Sequence, residues 1–156
     1  MAQISDNLGT QINHLQDPLN MTDFVSDVQR IPYSAERVFS KLSDLNNLGS
    51  VQSMLPQDQI KEFTFDTDSC SFQADTIGKI SIRIVEREPF KTIKLVSEKS
   101  PVPFTCWIQL VEAATDDTRL KLTIGADIPF FFKGMIVKPL EEGIKKVAEA
   151  LAKIPY

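Results

Sequence analysis

A chain of 156 residues is one ordinary domain, and at that size it can bury roughly 70% of the surface its unfolded form exposes, so it needs no staples to fold. Its 42% apolar and 24% charged residues are those of a soluble globular protein, and a net charge of −4 argues against nucleic acid as the main partner, because phosphate binding wants a basic face. No segment approaches the roughly 20 apolar residues that span a bilayer. The start, Met1-Ala2-Gln3-Ile4-Ser5-Asp6, has neither the basic nor the apolar stretch of a signal peptide. Cys70 and Cys106 lie in different strand patterns and read as small buried hydrophobes rather than a bridge or metal pair. The expected localisation is cytoplasmic.

Residues 1–20 are polar, rich in Asn, Gln and Asp, and show no period. They read as an N-terminal extension lying loosely on the surface, with 21–156 as the domain. A sharper reading takes Met21 as the true start. Residues 22–31 alternate Phe24, Ser26, Val28 and Arg30 against Val25, Asp27, Gln29 and Ile31, a loosely patterned strand that Pro32 ends. Ser34 is placed to cap a short helix whose apolar face is Val38, Leu42 and Leu45, with Phe39 beside them. Asn46-Asn47-Leu48-Gly49 breaks that helix, and a second helical turn is expected near Val51 to Leu55.

Strands follow. Residues 60–65 put Phe63 and Phe65 on one face, Asp66-Thr67-Asp68 turns the chain, and Cys70, Phe72 and Ala74 share the next inner face. Gly78 opens a strand in which Ile80, Ile82 and Ile84 oppose Ser81, Arg83 and Val85; Glu88-Pro89 turns; Ile93 and Leu95 oppose Lys94 and Val96. Pro101 and Pro103 bracket a rigid connection. Phe104, Cys106, Ile108 and Leu110 then alternate with Thr105, Trp107, Gln109 and Val111, and after Thr115-Asp116-Asp117 the chain sets Leu120, Leu122, Ile124, Ala126 and Ile128 against Arg119, Lys121, Thr123, Gly125 and Asp127. Short turns between successive strands imply an antiparallel meander with one buried face. Alternation puts Trp107 outward unless a bulge reverses the strand. Arg83 with Arg87, and Arg119 with Lys121, share polar faces, read as a solvated outer sheet or as a basic patch for an acidic head group or partner.

The last element, residues 133–153, is a long helix: Ile136, Leu140, Ile144, Val147, Leu151 and Ile154 recur every three or four residues, and Glu141–Lys145, Glu142–Lys146 and Glu149–Lys153 pair at i,i+4 on its wet face. Gly134, Pro139 and Gly143 weaken its first half, since Pro forfeits a backbone bond and Gly costs about 1 kcal/mol against Ala. Either residues 130–138 are partly irregular and the firm helix begins near Pro139, or this half is a hinge or mouth.

Strand, two short helices, six strands and a long C-terminal helix, with Ile31-Pro32-Tyr33-Ser34-Ala35-Glu36-Arg37-Val38-Phe39 and Leu42-Ser43-Asp44-Leu45 at the first helix, is a pattern that resembles the START-related superfamily. That group (SRPBCC) includes the birch-pollen allergen relatives, the lipid-transfer domains and the bacterial polyketide cyclase/dehydratase-like proteins. The resemblance covers residues 22–156 and rests mainly on the order of elements. Many members carry a Trp shortly after the Asp; here Asn46-Asn47-Leu48-Gly49 stands instead, on one lip of the pocket. The resemblance implies an α+β helix-grip fold, a curved antiparallel sheet wrapped around the last helix with an apolar cavity between them, and no single activity.

Catalytic machinery is not evident. His14 lies alone in the unpatterned tail, no His/Cys set has metal-ligand spacing, no phosphate loop or nucleophile elbow occurs, and neither Cys has a local His to form a thiolate. Asp66, Asp68, Asp116 and Asp117 sit in turns, Glu86 and Glu88 at a strand end, and Asp75 and Asp127 alternate toward water. No cofactor and no metal is implied. A pocket of at least about 300 Å³, left empty at roughly 24 cal/mol per Å³, costs about 7 kcal/mol, comparable to a domain's whole stability. It is therefore occupied, or filled by side chains such as Phe63, Phe65, Phe72, Phe104, Phe130, Phe131 and Phe132. The favoured function is binding of a small hydrophobic or amphipathic molecule, lipid-like or polyketide-like. The expected lining is Phe63, Phe72, Ile82, Ile84, Leu95, Ile108, Leu122, Ile124, Met135, Leu140 and Ile144, with access through residues 134–143 and 101–103. The alternatives are a polyketide cyclase/dehydratase-type enzyme, which needs a polar group buried in the cavity, and a non-catalytic interaction module with a filled core and an exposed apolar patch near Phe130-Phe131-Phe132.

Overall fold

The computed structural model describes residues 21–50, 52–54, 60–74 and 77–156. The polar extension, Val51, Leu55 and Asp75 lie outside the described residues. Eight strands form one antiparallel sheet: β1 (Met21–Val25), β2 (Gln29–Ile31), β3 (Ile60–Phe65), β4 (Ser69–Ala74), β5 (Gly78–Glu88), β6 (Thr92–Lys99), β7 (Phe104–Ala114) and β8 (Asp117–Asp127). The spatial order is β1-β8-β7-β6-β5-β4-β3, with β2 also on β8. Consecutive strands β3 to β8 are therefore neighbours, as short connections require. The helices are α1 (Ala35–Leu42) and α2 (Lys133–Ala152), with 3-10 turns at Leu45–Ser50, Gln52–Met54 and Phe130–Phe132.

The expected first strand is two. Val25 pairs with Thr123 and Gln29 with Leu120, so three residues, Ser26 to Val28, oppose only Lys121 and Leu122. One extra residue reverses the facing: Phe24 and Ser26 are buried before it, Ile31 after it, and Val28 is exposed. Ser26 holds the bulge by exchanging backbone and side-chain bonds with Leu122, its amide donating to Leu122 O and its Oγ accepting from Leu122 N, both at 2.9 Å.

A second bulge corrects another expectation. Ile84 pairs with Leu95 but Glu86 with Lys94, leaving Val85 extra and 52% exposed. The phase shift places Arg87 opposite the fully buried Ile93 rather than on the outer face with Arg83. Its guanidinium donates to Ser43 O (3.0 Å) and Thr67 O (3.3 Å) and pairs with Asp68 (2.7 Å). Arg87 thus ties the end of α1 to the β3–β4 turn. Arg83 is on the outer face with Glu98, and Arg119 is held by Asp117, so these cations are already partnered.

α1 begins where Ser34 Oγ accepts from Arg37 N, as its sequence position suggests, and Glu112 from β7 accepts from Ala35 N at 2.7 Å. Ala35, Val38, Phe39 and Leu42 are its buried face. Asn46 to Gly49 do not simply break the chain: they lie in the 3-10 stretch Leu45–Ser50, with Leu45 buried. Trp107 faces outward with no bulge nearby, opposite Thr123 and Lys94. Gly125 makes room for it: a Cβ there would lie 3.6 Å from the indole and 3.3 Å from Asp23 Oδ1. Lys94 Nζ sits 6.0 Å from the ring centre.

α2 runs unbroken from Lys133 through Pro139, so the firm helix does not wait for the proline. Ile136, Ile144, Ala148 and Leu151 are buried along it, followed by Ile154. Its closest backbone approach is to β8, β2 and β1. The grip is lopsided in this sense, and that asymmetry positions the site.

Candidate functional site

Register divides the concave face into cross-strand rows. One row, Ile93, Ile108 and Leu122, is closely covered, with Ile93 fully buried. Leu110 and Leu120 beyond it are buried as well, near α1 and the end of α2. The next row is Ile84, Leu95, Cys106, Ile124 and Phe24. Here Ile84, Leu95 and Phe24 are buried, but Cys106 and Ile124, on the central strands, are only half-buried. The row after that joins Phe65, Cys70, Ile82 and Ser97 through β3 to β6. Phe65, Ile82 and Ser97 are half-buried, as is Phe104, whose amide donates to Ser97 Oγ at 3.0 Å. Cover is therefore thinnest in the middle of the face, at Ile82, Phe104, Cys106 and Ile124, and closes again beyond them at Ile80, Val102, Ala126 and Ile128.

Each residue of the expected lining has a place in this pattern. Ile84, Leu95, Ile108, Leu122 and Ile144 are core. Phe72, Ile82, Ile124 and Leu140 are partly buried against it. Phe63 is half-buried, turned by the β3 irregularity at Glu62 (φ +57°) so that its ring lies 5.4 Å from Phe72 and 5.8 Å from Phe65. Met135 is 56% exposed, outside the grip. Half-buried apolar side chains outside that lining include Phe65, Phe104, Cys106 and Val137. The first three share inner faces with residues within it, and Val137 stands one turn before Leu140. Alternation and helical spacing held the signal; what they could not supply is how far each position lies from α2.

A separate depression of about 260 Å³ lies at the β3 irregularity, lined by Glu62, Phe63, Thr64, Ser71, Phe72, Gln73 and Lys79. Thr64, Ser71, Gln73 and Lys79 belong to the outer face by register.

Burial pushes the Cys106 thiol up to about 12, and burial together with the nearby Asp66 carboxylate does the same for Cys70. Both are held as neutral thiols, poor nucleophiles at ordinary pH. Among the described residues no group of His, Cys, Asp and Glu could hold a metal ion. Also among them, no helix is long and apolar enough to cross a membrane.

No protein-family model matches the chain, and no curated protein matches it. Solved structures do. Norcoclaurine synthase from Thalictrum flavum, in complex with dopamine and hydroxybenzaldehyde, is similar at a TM-score of 0.66 and 16% identity over 98% of this chain and 95% of that one. A Rhizobium loti protein has a TM-score of 0.61 and 21% identity over 85% of this chain and 95% of that one. A START superfamily protein from Mycobacterium smegmatis has a TM-score of 0.59 and 13% identity over 85% of this chain and 94% of that one. Identities this low speak to architecture, and the sheet order, the lopsided helix and these likenesses agree: the chain has the helix-grip fold of the START-related proteins.

Proposed function

We infer that the protein binds a small hydrophobic or amphipathic molecule between the concave sheet and the first half of α2, in contact with Phe72, Ile82, Phe104, Cys106, Ile124 and Leu140. One observation carries this reading. Cys106 keeps accessible surface although it sits on a central strand and faces inward toward α2. That is the exposure a gap between sheet and helix would leave. The cross-strand partner of Cys106, Ile124, shares it. A lining of this kind binds by apolar burial, at about 25 cal/mol per Å². The polar groups in these rows, Ser97 and the neutral Cys106, are few, so discrimination among guests is by shape and length more than by hydrogen bonding. The likeness to norcoclaurine synthase, whose structure holds small aromatic molecules, is in keeping with a guest of that size.

The enzyme reading needs an acid, base or nucleophile inside the gap. Among the described residues these rows hold no carboxylate or imidazole that could act as a base on Ser97 or on the neutral thiols, so binding is the better-supported function. The test is native mass spectrometry of the purified protein with solvent extraction of any guest, followed by thermal shift across fatty acids, sterols and aromatic polyketides. A retained guest, or a rise in Tm with at least one class, is expected. Ile124→Trp, which fills the gap, should abolish that rise without unfolding the protein. No guest and no shift across the panel would point to the filled-core alternative instead.

A further inference from the structure

Phe130 and Phe131 are 83% and 76% exposed, Phe132 39% and Met135 56%, and the rings of Phe131 and Phe132 lie 4.5 Å apart. Phe130–Phe132 is the 3-10 turn that feeds α2. Taking roughly 200 Å² per large side chain, the cluster shows about 500 Å² of apolar surface, the size of the largest patch on a monomer, which is often functional. From residue 128 to residue 140 the chain reads Ile-Pro-Phe-Phe-Phe-Lys-Gly-Met-Ile-Val-Lys-Pro-Leu: two lysines and no carboxylate, in a protein of net charge −4. Among the described residues neither Lys133 nor Lys138 has an acidic partner. By contrast, from Glu141 onward acids and bases alternate along the helix.

We propose that this tip docks the protein onto an anionic lipid surface, Phe130 and Phe131 entering the interface while Lys133 and Lys138 meet the head groups. Two features select this occupant. The patch is a run of consecutive aromatics on one turn, suited to dipping into a fluid layer, where insertion and anionic attraction add. Asp127, Glu141 and Glu142 flank it, but Lys133 and Lys138 have no acidic partner among the described residues, so positive charge stands free beside the exposed rings and favours a negative surface there. The docking stands apart from the guest in the cavity, and its test uses none.

The experiment is co-sedimentation of the full chain with phosphatidylcholine vesicles, with and without about a third phosphatidylglycerol. The wild type is expected to bind the anionic vesicles at least about tenfold more tightly than the neutral ones, and less as salt rises. Phe130→Ser with Phe131→Ser should lose about tenfold or more with an unchanged Tm, because both rings are in solvent in the free protein. Lys133→Gln with Lys138→Gln should remove the preference for anionic lipid. Equal binding to both vesicles, no binding to either, or undiminished binding by the double Phe variant overturns the proposal. So does concentration-dependent self-association in sedimentation equilibrium that the double Phe variant abolishes, since a second copy would then be the occupant.

Discussion

At the scale of single residues, neighbouring rows of the concave face should answer truncation differently. Ile93 is fully buried opposite Ile108, whereas Ile124 is half-buried opposite Cys106. Ile93→Ala removes contacts on every side and leaves a void, a loss of about 3–4 kcal/mol. Ile124→Ala removes methyls that already border open space, so about 1–2 kcal/mol is expected without a guest. Urea denaturation of both variants checks this, and equal losses would mean that the face is packed evenly. The cysteines give a second test. A thiol raised to about 12 carries thiolate in only about one molecule in ten thousand at pH 8. Iodoacetamide labelling of Cys106 should therefore be slow there and still rising well above pH 9, where an ordinary thiol levels off. Linkage follows with a definite sign. The folded pKa lies above that of a free thiol, so the stabilisation from keeping the thiols neutral is full below about pH 9 and is lost as pH rises from there through about 12. A guest over Cys106 should slow its labelling further and leave Cys70 unaffected.

At the scale of elements, what was legible in the sequence was periodicity, and what was not was phase. Each strand from β3 to β8 and the full length of α2 follow from alternation, helical spacing and turn residues. Asp66, which accepts from Asp68 N, Ser69 N and Ser69 Oγ, marks the β3–β4 turn in sequence and structure alike. Asp116, at φ +53°, closes the β7–β8 hairpin where turn residues were expected. The failures are the bulges at Ser26 to Val28 and at Val85. An extra residue in a strand looks like any other residue in the chain, because the count that exposes it belongs to the partner strand. Arg87 was misplaced for this reason. The same limit hid the half-burial of Phe104 and Cys106, whose facing was readable but whose distance from α2 was not. For α2 the sequence did reveal its weak half. Pro139 lies within the helix, so the Met135 carbonyl loses its usual amide partner. A Cβ at Gly143 meets nothing within 4 Å. Gly143→Ala should accordingly stabilise the protein by about 0.5–1 kcal/mol. If this half of the helix admits the guest, the same change should slow guest exchange, measured by stopped-flow displacement of a fluorescent fatty acid. A gain in Tm with unchanged exchange rates would place the route elsewhere.

At the scale of the whole molecule, the lopsided grip implies two regions of different cooperativity. The end that holds α1, Ile93, Leu120 and the last turns of α2 is closed by buried apolar contacts. It is tied further by Arg37, which donates to Tyr156 O at 2.8 and 3.1 Å, and by Lys41, which donates to Pro155 O at 3.0 Å. The half-buried positions lie between that end and the buried Val102, Ala126 and Ile128, on the side of the helix that carries Gly134 and Pro139. Amides in the first half of α2 should exchange by local opening, at a free energy well below that of global unfolding. Those of central β7 and β8 and of residues 144–152 should exchange only with the whole fold. A guest in the gap stabilises the native state by mass action, about 2.7 kcal/mol at a hundredfold excess over Kd. Because it touches one region, its first effect is to suppress the local opening: protection should rise in residues 134–143 and around Phe104 and Cys106 before it rises elsewhere. Hydrogen exchange with and without a guest reads this directly. Protection that rises uniformly would mean that the molecule opens as one unit, and the division of labour between its two regions would have to be abandoned.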